Sequence, residues 1–299
     1  MSKLWFVVSL PTLENDYQQH QANQAERTAA RLGLRVTVIE AKNDSITQSL
    51  ELLRFIQAKA ERPNAIIVEP AGGTAFPQVA KAAVGNGIGW VVLNRAADYI
   101  PELRRGSNIP IFHLGPDHVE IGRMQGMQLG ALLPRGGSVL YIEGPATSSS
   151  ARKRYEGLLE TMPPTVQLFR MRAHWTEDSS YKLVSRWLKL ATSRDAGIQV
   201  VAAQDDSMAI GARKACEELF DEEARAAWLG LPFLGCDGVE ETGQAWVREG
   251  KLRATVISPA STTLAIQMLL ASLRDGVVQP EHSQTRPSSF PAAESLKPV

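Results

Sequence analysis

The sequence predicts an α/β protein with parallel sheets, and three observations carry that prediction. Apolar runs of four to seven residues alternate with helix-period stretches along almost the whole chain. Many of these runs are continuously apolar rather than alternating, as expected of parallel strands covered on both faces by helices. Ten such runs are present, which is the upper limit for one open sheet, so two sheets of about five strands are expected.

In chain order, the first strand spans 4–10 and runs into a polar segment holding Asn15, Asp16 and Tyr17. Ala22, Ala25, Ala29 and Leu32 then recur at helical spacing, and Gly33 supplies the stop. After a strand at 35–40, Asp44 or Ser45 caps a second helix, whose apolar face is expected to be Ile46, Leu50 and Leu53. Strands follow at 65–69 and 89–93, the latter ending in Asn94-Arg95. The segment 98–110 is rich in Pro, Arg, Gly and Asn and breaks the pattern. A short strand at 111–114 precedes Gly115-Pro116-Asp117, where the alternation restarts with a helix N-terminus, so a domain boundary is placed near Gly115. The second half repeats the theme with strands at 138–143, 166–171, 198–203, 232–236 and 254–257. Ser258-Pro259 makes a second break before the amphipathic stretch 261–274, and the Pro- and Ser-rich tail after Val278 is expected to hold no more than one short strand.

Composition excludes several functions. Hydrophobic residues make up 44% and charged residues 21% of the 299, ordinary for a globular protein with room for two cores. Lys+Arg and Asp+Glu both total 32, so nucleic acid is not an expected partner. No apolar run nears the ~20 residues that span a bilayer, so the chain is not expected to be membrane-embedded. The first strand begins at once after Met1-Ser2-Lys3, with no leader-like apolar region. The chain is therefore expected in the cytoplasm, or in the periplasm if a signal segment has been removed. Cys216 lies about 16 Å along its helix and Cys236 at a strand end, so a disulfide between them is not expected.

No phosphate-binding loop, nucleophile elbow or zincin motif occurs, and no cofactor or metal is expected. Gly85-Asn86-Gly87-Ile88-Gly89 leads into a strand, whereas a dinucleotide loop must leave one; it reads as a helix stop and turn. The five histidines lack metal-ligand spacing. With no nucleophile–base pair and no metal constellation, catalysis is not expected. What stands out is that several strands end in polar groups: Asn94-Arg95, Gln204-Asp205-Asp206 and Cys236-Asp237. In open parallel sheets, ligands bind outside the carboxyl ends of the strands.

The residues at these ends resemble the type I periplasmic solute-binding proteins of sugar ABC transporters, the ribose- and galactose-binding group related to the ligand-binding cores of LacI-type repressors. The likeness runs from Leu4 to about Val278. It is carried by Glu14-Asn15-Asp16-Tyr17, Ala65-Ile66-Ile67-Val68-Glu69-Pro70, Val91-Val92-Leu93-Asn94-Arg95, Ser149-Ser150-Ala151-Arg152-Lys153-Arg154-Tyr155-Glu156-Gly157, Leu234-Gly235-Cys236-Asp237-Gly238 and Gly250-Lys251-Leu252-Arg253-Ala254-Thr255-Val256. Ala203-Gln204-Asp205-Asp206-Ser207-Met208-Ala209-Ile210-Gly211-Ala212 is the most specific stretch. No helix-turn-helix headpiece accompanies them.

The resemblance implies two Rossmann-like lobes joined by a three-strand hinge and closing on a sugar, with residues 1–114 plus 259–286 in one lobe and 115–258 plus 287–299 in the other. It implies capture of a sugar or other small polyhydroxylated ligand and delivery to an ABC permease; the alternative is a cytoplasmic ligand-sensing domain that signals to a regulatory partner. Carried over residue by residue, it implies ligand contacts from Asn15, Tyr17, Asn94, Arg95, Arg152, Trp175, Asp205, Asp237 and Ser258. Arg154 is expected to face solvent, and Asp206 to cap the helix beside Asp205. Asn94 stands where the family usually has Asp and Asp205 where it often has Asn, so the negative acceptor is expected to have moved to the second lobe. Gln18 and Cys236 replace common aromatics and Ser258 replaces a usual Gln. The site is thus less aromatic and roomier, and ribose or galactose specificity does not transfer.

Overall fold

A computed structural model describes residues 3–72, 76–95 and 97–299, with backbone alone at 194 and 195. The chain divides into two compact units. One holds Met1–Leu13, Tyr17–Pro116 and Ala260–Thr285; the other holds Glu14–Asp16, Asp117–Pro259 and Arg286–Val299. Residues 14–16, expected with the first lobe, belong to the second unit. The side chains of Asn15 and Asp16 account for this, since both bond to groups of that unit.

The first unit runs β1 (Trp5–Leu10), α1 (Asp16–Leu32), β2 (Arg35–Glu40), α2 (Ser45–Ile56), β3 (Ala65–Val68), α3 (Pro77–Gly85), β4 (Gly89–Leu93), α4 (Ile100–Arg104) and β5 (Ile111–Pro116). The second runs α5 (His118–Leu132), β6 (Gly137–Glu143), α6 (Ser149–Thr161), β7 (Val166–Arg172), α7 (Glu177–Trp187), α8 (Ala191–Asp195), β8 (Ile198–Ala203), α9 (Asp206–Glu217), α10 (Glu222–Leu229), β9 (Phe233–Leu234), α11 (Gly243–Arg248) and β10 (Thr255–Ile257). The chain returns to the first unit with α12 (Ser261–Asp275) and β11 (His282–Thr285). It ends in the second with β12 (Ser288–Phe290) and a 3-10 turn at Ala293–Ser295. The tail thus holds two strands, not one. β11 extends the first sheet beside β5, and β12 runs antiparallel to β10.

The first sheet has the order β11-β5-β4-β3-β1-β2 and is parallel throughout. The second has the order β7-β6-β8-β9, also parallel, and single parallel bridges (Leu234 to Ala254, Asp237 to Ile257) carry β10 alongside β9. Each sheet therefore reverses its winding beside its first strand, between β1 and β3 in one unit and between β6 and β8 in the other. Such a switch point opens a crevice at the carboxyl ends of the strands.

The continuous apolar runs are explained by cores on both faces. Val7, Ile66, Val68, Trp90 and Val92 pack on one side of the first sheet; Phe6, Val8, Ile67, Val91 and Leu93 pack on the other. In the second sheet, Leu140, Ile142, Val201 and Ala203 face one core while Val139, Tyr141, Val200 and Ala202 face the other. A fully buried side chain of this size contributes about 1.5–3 kcal/mol. Asp44 caps α2, accepting from Ile46 N at 2.9 Å. The buried face of that helix is Gln48, Leu52 and Ile56, whereas Ile46 and Leu50 are 70% and 55% exposed. The periodicity was legible but the face was not, because a glutamine occupies it. Gln48 donates to Ser9 Oγ and Glu69 O, and it accepts from Ala71 N at 2.7 Å, so its amide is satisfied where an apolar side chain would leave backbone groups unpaired.

Candidate ligand-binding site

Every parallel strand of the second unit ends at a polar group. β6 leads through Gly144 to α6 and Arg154, β7 to Trp175, β8 to Asp205, β9 to Asp237, and β10 to Ser258. Arg154 is the hub. Its helix starts on Ser148, whose hydroxyl accepts from Ala151 N at 3.3 Å. It is held close to α5 by glycines: a Cβ on Gly122 would fall 1.9 Å from Arg154 O, and one on Gly157 would fall 1.9 Å from Val119 O. That approach buries the face carrying Ala151, Arg154, Gly157 and Leu158. Arg154 donates to Gln204 O, to Asp237 Oδ1 at 3.3 Å and to His118 Nδ1 at 3.4 Å. Its guanidinium lies 5.6 Å from the centre of the Trp175 ring.

Arg152, named as a ligand contact from the resemblance, does not reach this site. It lies on the outer face of α6, with a 62% exposed side chain, and pairs with Glu156 one turn away at 3.9 Å. Arg154, expected to face solvent, is the buried one, at 5% exposure. The signal was available in the sequence: Ala151, Arg154 and Leu158 share a helical face that Arg152 does not.

Of the two neighbouring aspartates, the cap expected of Asp206 is supplied by Asp205. Asp205 is the cap of α9, accepting from Met208 N at 2.6 Å through Oδ1. Its Oδ2 is buried without a hydrogen-bond partner among the described residues. Asp206 turns inward, accepting from Thr255 Oγ1 and Gly238 N, both at 2.7 Å. Gly235 and Gly243 make room for it, since a Cβ on either would come within 2.0 Å of its carboxylate. Asp237 sits at φ 104, an unusual conformation for a residue with a side chain. Its backbone NH donates to Val256 O at 2.8 Å, and its carbonyl accepts from Ser258 N at 2.9 Å, which holds it in place. Asp16 completes the group: Ser207 Oγ donates to its Oδ1 at 2.7 Å and Thr242 Oγ1 to its Oδ2 at 2.6 Å.

Four carboxyl groups thus gather in one group, with the Arg154 guanidinium beside Asp237 and acting on Asp205. Burial pushes the Asp205 carboxyl up to about 7; the Met208 NH opposes the rise and the Asp16 charge adds to it. Burial also holds Asp206 well above the usual carboxylate range, with Asp16 and Asp237 adding to the effect. Asp237 is raised as well, because burial together with Asp205 and Asp16 outweighs its pairing with Arg154. Desolvation is the leading cause for all three, the expected result when like charges are taken out of water together. Burial likewise keeps the Cys236 thiol protonated, and both cysteines are free.

Trp175 adopts φ 63 and packs its ring over Gly144, where a Cβ would lie 2.0 Å from Cζ2. Its carbonyl accepts from Asn15 Nδ2 at 2.8 Å. Trp175 Nε1 and Ser258 Oγ, like Asp205 Oδ2, are buried polar atoms without a partner among the described residues. Gln204 ties the strand exits together, donating to Tyr141 OH at 3.1 Å and Ala151 O at 2.9 Å and accepting from Gly144 N at 2.9 Å. Sequence reasoning placed Asp16 and Gln204 at polar strand exits without giving either a ligand contact, and it did not single out Ser207 or Thr242.

The structure brings together Asn15, Trp175, Asp205, Asp237 and Ser258 in the second unit. Tyr17, Asn94 and Arg95 lie in the first. Tyr17 is buried beside Gln21, whose amide donates to the phenol oxygen at 3.3 Å. Asn94 takes the left-handed conformation at the exit of β4 (φ 58). It donates to Glu69 Oε2 at 2.7 Å and accepts from Ser261 Oγ at 3.2 Å. A carboxylate therefore does stand behind Asn94: Glu69, from the end of β3. Arg95 follows it, half-buried. Among the described residues no group of His, Cys, Asp or Glu side chains has the arrangement of a metal site, and no helix is long and apolar enough to cross a membrane.

Doubly wound parallel sheets whose strand exits are finished in hydrogen-bonding side chains define a protein built to hold a small polar molecule. The chain belongs to the periplasmic binding protein family, whose domain model matches residues 6–276. Among curated relatives, the ribose import binding protein of Haemophilus influenzae is 25% identical over 252 residues, covering 83% of this chain and 78% of that protein. Among solved structures, the Caulobacter myo-inositol binding protein bound to myo-inositol has a TM-score of 0.80 at 24% identity, covering 96% of this chain and 93% of that one. A periplasmic solute-binding protein of an ABC transporter from Actinobacillus succinogenes, with bound D-allose, has a TM-score of 0.82 at 21% identity and covers 98% and 99% of the two chains.

Proposed function

We propose that this protein is the solute-binding component of an importer: it captures a sugar or other small polyhydroxylated compound, leaves it chemically unchanged, and presents it to an ABC permease. The observation that carries this reading is the set of three buried polar atoms without partners, Asp205 Oδ2, Ser258 Oγ and Trp175 Nε1, all at strand exits of one parallel sheet. A buried polar atom left unpaired costs roughly 1–3 kcal/mol, and a ligand that pairs with it recovers that cost. An acceptor, a hydroxyl and a donor suit a molecule with several hydroxyls, and the indole face of Trp175 suits the apolar face of a sugar ring. The ribose, inositol and allose named for the relatives are of this chemical class. Micromolar affinity corresponds to about −8 kcal/mol, within reach of a few charge-assisted hydrogen bonds after ordering costs.

The test is a thermal-shift screen against monosaccharides and polyols, neutral and aminated, followed by calorimetry. A ligand at 100 times its Kd stabilises the folded form by about 2.7 kcal/mol, a shift of several degrees for a protein this size. Recovery of the ligand unaltered after long incubation is expected. A panel that leaves the melting temperature unmoved, or a product in place of the ligand, would overturn the reading.

A further inference from the structure

We propose that the ligand carries a protonated amine, an amino sugar or aminated polyol, and that Asp205 Oδ2 receives it. This rests on the proposed function and narrows it.

The argument is one of charge and of which oxygens remain available. Asp16, Asp205, Asp206 and Asp237 stand in one group of interacting acids, and Arg154 acts on Asp205 and Asp237. The other titratable groups there are His118, whose Nδ1 accepts from Arg154, the Cys236 thiol, and the Tyr141 phenol, beyond which Glu143 is paired with Arg170. Among these residues four acids are therefore set against one permanent cation, Arg154. Three of the acids are engaged. Asp16 accepts from Ser207 and Thr242, Asp206 from Thr255 and Gly238, and Asp237 from Arg154. Asp205 has committed one oxygen to the cap of α9 and keeps the other buried and unpartnered, at 2% exposure.

A neutral polyol supplies hydrogen bonds to such an oxygen but leaves the acidic excess as it was. An ammonium group supplies three donors and a compact positive charge, which offsets the like-charge repulsion and lets the carboxylates ionise. An inorganic cation is a poor alternative, since the carboxylates do not form a metal site and most of their oxygens are occupied by hydroxyl and NH donors. The raised carboxyl of Asp205 agrees with this: it is the state expected of an anion whose counter-ion arrives with the ligand.

Calorimetry at pH 7 on pairs differing only in amine against hydroxyl tests the idea: D-glucosamine and D-glucose, D-galactosamine and D-galactose, an inosamine and myo-inositol. In at least one pair the amine is expected to bind tenfold or more tightly, and Asp205→Asn is expected to bring the two members within threefold. The comparison on wild-type protein needs no variant to fold. If neutral members bind and their amines bind no better, the amine is ruled out while the capture of a polyhydroxylated ligand stands. If the amine advantage survives Asp205→Asn in a folded variant, Asp205 is not its partner. If no member of any pair binds, and neither does any neutral compound of the wider screen, both readings fail together.

Discussion

In the first unit, polar groups at the exits of β1, β3 and β4 bond to one another; in the second, the exits gather acids around a single arginine. Gln48 reaches Ser9 and Glu69, Asn94 reaches Glu69, and Ser261 reaches Asn94. These are mostly amide, hydroxyl and backbone groups, which cost little to bury once paired. The second unit shares the strand order around its switch point but buries Asp205, Asp206, Asp237 and Arg154 together. Topology therefore places the exits, and side-chain chemistry decides what each exit can do. One set of strand ends is largely finished by its own neighbours; the other keeps acceptors and a donor unspent.

The largest test of this contrast is Arg154→Met. Removing the one cation leaves buried carboxyls without an internal counter-charge, which costs about 3–5 kcal/mol. Urea unfolding at pH 7 should show that loss, and the loss should shrink at pH 5, where the carboxyls hold their protons. A cost under about 1 kcal/mol at pH 7 would mean that the second unit is not organised around Arg154.

Next in size is the pH dependence that Asp205 imposes. In the folded chain its carboxyl titrates at about 7, against an ordinary value of 3.8. The folded state therefore binds the proton more tightly than the unfolded state. The stability this confers is complete below about pH 4 and is lost as pH rises toward 7, roughly 4 kcal/mol in all. Asp206 and Asp237 are raised too and push in the same direction. Ligand-free protein should thus be less stable at pH 7 than at pH 5, and Asp205→Asn should flatten part of that slope. A slope of the opposite sign would show that these carboxyls are ionised at little cost.

A smaller effect is expected in the first unit. Asn94→Gly keeps the left-handed backbone accessible and removes only the side chain that donates to Glu69. A loss of about 1–2 kcal/mol is expected, below that for Arg154→Met under the same conditions. Equal losses would erase the distinction between the two sets of strand ends.

The fold was legible because both sheets are buried on both faces, which forces continuous apolar runs such as Ala65–Val68 and Gly89–Leu93. The tail strands β11 and β12 were not legible. Their sequences, His-Ser-Gln-Thr and Ser-Ser-Phe, carry no apolar pattern, and they are strands because β5 and β10 offer them an edge. At the site, Asp205 and Asp237 could be named because they follow strands, and Trp175 and Ser258 because they fall at positions of the family resemblance. Asp16, Ser207 and Thr242 could not, because their meeting depends on residues 14–16 folding with the second unit. That Asp205 and not Asp206 caps α9 was invisible for another reason. Two adjacent aspartates at a helix start are equivalent until Gly235, Gly238 and Thr255 make a niche for the second.

The choice between Arg152 and Arg154 supplies the smallest and most discriminating prediction. Both arginines lie in one basic run, and residue type does not separate them. Helical phase does: Arg154 shares the face of Ala151 and Leu158, while Arg152 shares a face with Glu156. An exposed pair four residues apart on a helix contributes about 0.3–0.5 kcal/mol. Arg152→Ala should therefore cost no more than that, and it should leave ligand-induced stabilisation at the wild-type value, whereas Arg154→Met should abolish it. If Arg152→Ala weakened ligand binding tenfold, the assignment of Arg154 as the organising cation would have to be reversed.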